Sequence, residues 1–313
     1  MKSLTGRFAR FLLGGTTLLL VGGIGWAGST SDRGTSSGMF LKIPVSARSS
    51  GLGGAVTAVT GEAGVLAWNP AGMAESDKRQ VLLSHAPSPE GTATSNAYFV
   101  HPAGAGAWGV GVTYFSAGSI DETEPTAGAT VGTFRPSDAA ATVGYARKVA
   151  GWDLGLALKG VQSKIIESDS TLTVDGGILS PKYWQDRLRV GVSALNTGGS
   201  LQLGNTARPL PFQIAVGVGL TPNEKWTLSS DVKFPRDNDP FFCIGGEGVY
   251  PVGADWRFAG RAGWEGAMDT GLGDFAGFNM GFGVSKGALG LDYAVSPMGD
   301  LGQAHRISLT TSF

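Results

Sequence analysis

His85, His101 and His305 are the only histidines in this 313-residue chain, and Cys243 is its only cysteine. Nucleophilic catalysis needs a hydroxyl or thiol beside a base that a third group orients. Each histidine falls at the end of an expected strand, far from the others in sequence, and no G-x-S-x-G elbow is present. The chain therefore reads as non-enzymatic. No pair of His or Cys has metal-ligand spacing. The acidic stretches Asp121-Glu122-Thr123-Glu124 and Arg236-Asp237-Asn238-Asp239 miss the EF-hand pattern and read as solvated loops, so neither a metal nor a cofactor is expected. A lone cysteine forms no internal disulfide and leaves the redox compartment undecided.

Charges with period-two placement carry more information. Asp153, Lys159, Arg187, Arg189, Asp231, Lys233, Glu247, Arg257, Arg261, Glu265, Asp292 and Arg306 all fall on the same parity of alternating runs, opposite the apolar residues. Both signs occur. One reading is a cross-strand lattice of ion pairs bracing a closed interior, since an isolated charge there is costly; the other is a polar path for a solute. Gly109/Gly111, Gly217/Gly219 and Gly281/Gly283 share this parity and have no helix after them, so they read as small interior positions rather than phosphate loops.

The elements that position these residues are strands. From Arg79 onward apolar residues alternate with small or polar ones in runs of about ten, the length of a tilted strand crossing a bilayer. Phe212, Ile214, Val216, Val218 and Leu220 against Gln213, Ala215, Gly217 and Gly219 is one such run. There are fourteen, from near 79–86 to 303–313, the run at 169–179 being among the weakest. Trp108, Trp152, Trp226 and Trp256 each open a run on the apolar parity, and Trp264 lies eight residues beyond Trp256 on the same face. At about 3.3 Å per residue and a tilt near 40° that pair spans roughly 20 Å along the membrane normal, as two aromatic girdles would. Trp226 with Phe234 repeats the spacing. Connections after every second run are short, Ala150 to Gly151 and Gly287 among them, whereas Ala117 to Ser137, Thr197 to Pro209 and Gly266 to Phe275 are long. Short turns on one side and long loops on the other describe an outer-membrane barrel with its short side periplasmic.

Upstream of the strands the chain divides into three. Residues 1–27 read as a secretory signal: Lys2, Arg7 and Arg10 precede an uncharged run and a small-residue exit. The five glycines of that run favour cleavage over a transmembrane anchor. Residues 28–39 form a polar segment, loose in the periplasm or feeding the next one. Residues 40–78 read as a plug, and 79–313 as the barrel. The stretch Ser46 to Thr60 is mostly small residues, suited to backbone threaded through a confined space, and Asn69-Pro70 can cap a short helical turn. A formal net charge of −1 and the lack of a basic cluster argue against nucleic acid as a partner.

Phe40-Leu41-Lys42-Ile43, Ala47-Arg48, Gly51-Leu52-Gly53-Gly54-Ala55 and Trp68-Asn69-Pro70-Ala71-Gly72-Met73-Ala74 resemble the PorV/PorQ family, which belongs with the FadL-like outer-membrane proteins. Asn-Pro-Ala-Gly alone is similar to FadL-like proteins generally. His305 to Leu309 before Phe313 resembles the family's last strand, which makes Phe313 the expected signal for the barrel-assembly machinery. The resemblance implies an all-β, 14-stranded antiparallel transmembrane β-barrel in outer-membrane lipid, with its N-terminal plug segment in the lumen. The plug-motif residues would be Arg48, Gly51, Gly53, Gly54, Trp68, Asn69, Pro70 and Gly72.

Two functions follow as expectations. The first is a non-enzymatic scaffold or cargo shuttle linked to type IX protein secretion, whose partners would be secretion components or cargo carrying a C-terminal signal. The alternative is a FadL-like passive transporter of small hydrophobic molecules such as long-chain fatty acids. Inward apolar residues on the runs are sparse (Phe115, Phe241, Val249), which counts against the alternative.

Overall fold

An alternating strand keeps its small and polar residues on one face and its branched and aromatic ones on the other, so the curvature of a closed sheet decides which face is lined and which is wrapped. The computed structural model describes residues 28–124, 130–202, 204–268 and 275–313; the expected signal segment 1–27 lies outside them. In chain order the strands are β1 (Gln80–Pro87), β2 (Ala93–Ala103), β3 (Gly106–Ser116), β4 (Ile120–Thr123), β5 (Thr130–Phe134) and β6 (Ser137–Val149). They continue with β7 (Trp152–Lys164), β8 (Ser168–Leu179), β9 (Leu188–Thr197), β10 (Ser200–Gln202), β11 (Ala207–Pro209) and β12 (Gln213–Asn223). The last six are β13 (Trp226–Pro235), β14 (Phe241–Val252), β15 (Trp256–Glu265), β16 (Phe278–Lys286), β17 (Leu289–Pro297) and β18 (Gln303–Ser312).

Fourteen of these close into one antiparallel barrel in which β1 pairs with β18. The closure is tied at its end by Arg79 and Phe313, which exchange backbone hydrogen bonds of 3.0 Å. β4–β5 and β10–β11 are separate two-stranded hairpins inside the long connections, which strand-length periodicity does not reveal. The Ala150-Gly151 turn has φ of 50° and 86°, the positive pair a two-residue hairpin loop requires.

The outer face is apolar. Leu156 is 66% exposed, Leu172 64% and Phe282 65%, a continuous coat that only lipid or another protein would cover. Trp108, Trp152, Trp226 and Trp256 are exposed near the short-turn end, whereas Trp264 is half-buried. Phe234, expected to pair with Trp226 across the band, is instead buried at 7%.

Residues 28–78 do not lie in line with the barrel wall. The segment 28–38 binds the long-loop end rather than hanging loose: Ser37 N–H donates to Pro209 O at 2.9 Å and Gly28 N–H to Pro235 O at 2.8 Å. Helix α1 (Ala47–Gly51), capped by Ser46 Oγ accepting Ser49 N–H at 3.0 Å, packs on β15 to β18. Helix α2 (Val65–Trp68) leads into a 3-10 turn at Pro70–Glu75, where Asn69 Oδ1 accepts Ala71 N–H at 3.2 Å. That turn contacts β3, β6, β7 and β8 on the other side of the ring. A chain touching opposite walls lies in the lumen. Leu52, Leu66 and Met73 are fully buried there, in one cluster with Leu82, Val100, Ala107 and Ala146 of the wall. Each such side chain contributes about 1.5–3 kcal/mol of burial.

The wall admits this chain through missing side chains. A Cβ on Gly155 would overlap the Ala71 backbone, and one on Gly263 the Leu52 backbone. Gly260, on the outward parity of the same β15, has nothing within 4 Å of its would-be Cβ. Gly263→Val should therefore leave a barrel that still shifts between boiled and unboiled gel samples, but with residues 45–75 cleaved by added protease. Gly260→Val should resist cleavage like wild type, and equal resistance of both variants would refute the packing.

Candidate functional site: a divided lumen

The charges on the interior parity are gathered by the N-terminal segment. Arg48, on α1, donates Nε to Glu247 Oε2 at 2.8 Å and Nη2 to Glu247 Oε1 at 2.7 Å, a two-pronged contact that suits the planar guanidinium. Its Nη1 donates to Thr60 O at 2.8 Å. Arg261 extends the chain of charges, donating Nε to Glu247 Oε2 at 2.7 Å and Nη1 to Asp292 Oδ1 at 2.6 Å. The surrounding carboxylates outweigh burial and push the Arg48 pKa up. Glu62 is buried beside this group and accepts Ser46 Oγ–H at 2.7 Å; burial outweighs the pull of Arg48 and raises its pKa.

A second anchor sits at the short-turn end. Glu75 binds Lys148 at 2.6 Å, Lys182 at 2.9 Å and Arg189 at 3.0 Å, while Arg189 also pairs with Asp153. A third holds the middle: Asp231 Oδ2 accepts Val56 N–H at 2.9 Å, Thr57 N–H at 2.9 Å and Thr57 Oγ1–H at 2.7 Å. Away from the segment, Lys159 pairs with Asp175 at 2.8 Å and donates to Asn196 Oδ1 at 2.9 Å. There the β8–β9 register shifts and Asn196 takes φ 57°.

Of the sequence-expected charges, Asp153, Arg189, Asp231, Glu247, Arg261 and Asp292 join these groups. Lys233 and Glu265 line the outer chamber described below, Arg257 the inner one, and Arg187 is exposed at the short-turn rim. In the plug motif, Gly51 lies against Arg261 and Gly281, Gly53 (φ +61°) against Trp264, and Gly54 beside Lys233. Trp68 donates Nε1–H to Val59 O at 3.3 Å, and Asn69 donates Nδ2–H to Thr57 O at 2.7 Å. Pro70 follows that cap, and Gly72 packs on Val65. Glu62, Glu75 and Asp175 were not anticipated as site residues. Parity within 169–179 was the available signal for Asp175, whereas nothing local marks Glu75 as an anchor.

The segment leaves two chambers. The outer one, about 540 Å³, lies toward the long loops and is lined by Leu41, Ile43, Val45, Trp68, Phe115 and Phe241, with Arg306 among its polar residues. The inner one, about 470 Å³, lies toward the short turns and is lined by Arg48, Glu62, Glu247, Arg257, Arg261 and Asp292. Arg48 faces the inner chamber, and Ser49 and Ser50 the outer, so the single turn of α1 stands between them. The apolar lining comes largely from the segment rather than the strands, which corrects the expectation that an apolar cavity is lacking. The three histidines lie apart: His85 bonds Ser95, His101 accepts from Arg79, and His305 bonds Tyr293.

This fold is a closed, fourteen-stranded, all-β antiparallel barrel. Among solved structures the chain is similar to the toluene transporter TbuX of Ralstonia pickettii, with 14% identity and a TM-score of 0.60 over 86% of this chain and 98% of that one. It is likewise similar to the toluene transporter TodX of Pseudomonas putida, with 12% identity and a TM-score of 0.59 over 85% of this chain and 96% of that one. No protein-family model and no curated protein matches the sequence.

Two titrations follow from the segment's acids. The cations around Glu75 hold its pKa down, from 4.5 to about 2. Its contribution to docking is therefore present above about pH 4.5 and lost as pH falls toward 2. Glu62 has the opposite sign, since its raised pKa favours the protonated form in the docked state. Hydrogen exchange of residues 70–75 should quicken below pH 4.5 beyond the intrinsic trend, and Glu75→Gln should flatten that excess. An unchanged profile in the variant would remove Glu75 from the anchor.

Proposed function

We propose that this protein is an integral outer-membrane barrel that lets small hydrophobic molecules cross passively, with residues 45–75 as a plug between an outer binding chamber and an inner polar vestibule. The observation that carries this reading is the apolar outer chamber, closed from the charged inner one by one helical turn. The apolar coat of the barrel supports a membrane location, and the short-turn side faces the periplasm in this reading. The likeness to the two toluene transporters supports a hydrophobic solute over a secretion partner.

The secretion-linked reading of PorV/PorQ type keeps one specific observation, the run from Phe40 to Ala74. Recovery of secretion or surface-attachment proteins with an affinity-tagged copy would favour it.

Proteoliposomes holding the purified protein should take up toluene faster than empty ones. Equal rates would sink the hydrophobic conduit. In planar bilayers, shortening Ser46 to Ala67 should raise the conductance well above that of the intact chain, and equal conductance would place the segment outside the permeation path.

A further inference from the structure

The outer chamber has one charge without a counterpart. Arg306 of β18 is 5% exposed, and its Nε and Nη1 are buried with no hydrogen-bond partner. No carboxylate among the described residues lies within ion-pair distance of it. The chamber's other cations are accounted for differently: Lys42 pairs with Asp237, and Lys233 shares the cavity with Glu265 and sits 5.8 Å from the Phe241 ring centre. Directly opposite Arg306 on β17 stands Ala294, which offers no side-chain oxygen. A guanidinium keeps its charge at any working pH, and a buried unpaired charge is costly. A planar fork with free donors suits a carboxylate.

Resting on the conduit reading above, we infer that the outer chamber selects compact amphiphiles carrying one carboxylate, which Arg306 binds by its head while the apolar wall from Leu41, Ile43, Trp68 and Phe115 holds the body. Arg306 then decides charge specificity: an acid replaces the missing counter-ion, whereas a neutral molecule of the same shape leaves the guanidinium bare. The roughly 540 Å³ of the chamber accommodates a ring with a short acid arm. A removed partner at a buried hydrogen-bonded charge changes affinity by tenfold or more, so the selectivity is measurable.

The test uses the full protein in detergent and calorimetric titration with phenylacetate, its neutral isostere phenylacetamide, and acetate. Phenylacetate should bind at least about tenfold tighter than the amide or acetate. Arg306→Met should erase that preference by weakening phenylacetate at least about tenfold relative to the amide, and Arg306→Lys should restore part of it. The Met variant should keep its heat-modifiable gel shift and melt higher than wild type, since it removes an unpaired buried charge. Equal binding of acid and amide, no binding of either, or a preference that survives Arg306→Met would overturn the inference. Acetate binding as tightly as phenylacetate would reduce the site to a bare anion site and overturn it too. Toluene uptake by proteoliposomes holding the same protein separates the two readings: uptake with no acid preference removes this inference alone, whereas no uptake of any solute removes the conduit.

Discussion

The close approach of one backbone to another governs this molecule. Residues 45–75 run against the inner wall with peptide groups almost touching it, and the wall can accept them because glycine stands where Ala71 and Leu52 come nearest. Fourteen strands enclose more volume than wall side chains alone fill, and less than an open porin. Enlarging the wall residues would fill the lumen but leave no path. A glycine-lined wall with an inserted segment fills it with something that has its own sequence, and so its own lining and its own joints.

Electrostatics then fixes where that segment sits. Burial of charge is tolerated only with partners: Glu247 takes donors from the segment and the wall, Asp231 from the segment, and Glu75, itself on the segment, from barrel residues. Glu247 binds Arg48 of the segment and Arg261 of the wall, so departure of the segment strips Arg48 of its carboxylate partner while Arg261 keeps Glu247 and Asp292. Glu75 reverses the polarity, with the acid on the segment and the three cations on or between the strands. Alternating the sign between anchors restricts the segment to one register, because a shifted register would set like charges together.

The barrel was legible in the sequence because period two and strand length are properties of single strands. Leu154, Leu156 and Leu158 against Asp153, Gly155 and Ala157 show both faces of β7 without any knowledge of its neighbours. The β4–β5 and β10–β11 hairpins were not legible, since strands of three to five residues give too few alternations to stand out from loop. The interior charges were legible as a set but not as pairs. Arg48 and Glu247 are 199 residues apart, and no local pattern selects Glu247 over Asp292 as its partner. The apolar outer chamber is not legible for a related reason: strand parity reports only the wall, whereas Leu41, Ile43, Val45 and Trp68 belong to a segment with no strand periodicity.

The division between the chambers is unequal in strength along its length. Val56 and Thr57 hold Asp231 by three hydrogen bonds, and Glu75 is held by three cations, so the chain that follows α1 is tied to charged groups at two points. Between them and the mouth, α1 rests on the wall by neutral contacts on one side: Ala47 N–H donates to Ser308 Oγ at 2.8 Å, and the Ser50 and Ser296 hydroxyls meet at 3.0 Å. Only the Arg48 fork on Glu247 ties its other side with charge. Hydrogen bonds to charged groups contribute about 1.5–3 kcal/mol each and neutral ones about half that. Moving one turn of helix aside therefore costs far less than withdrawing the segment, which would break all three anchors and expose Leu52, Leu66 and Met73. The place of least resistance lies between the apolar chamber and the polar one, where Ser49 and Ser50 of α1 line the outer cavity.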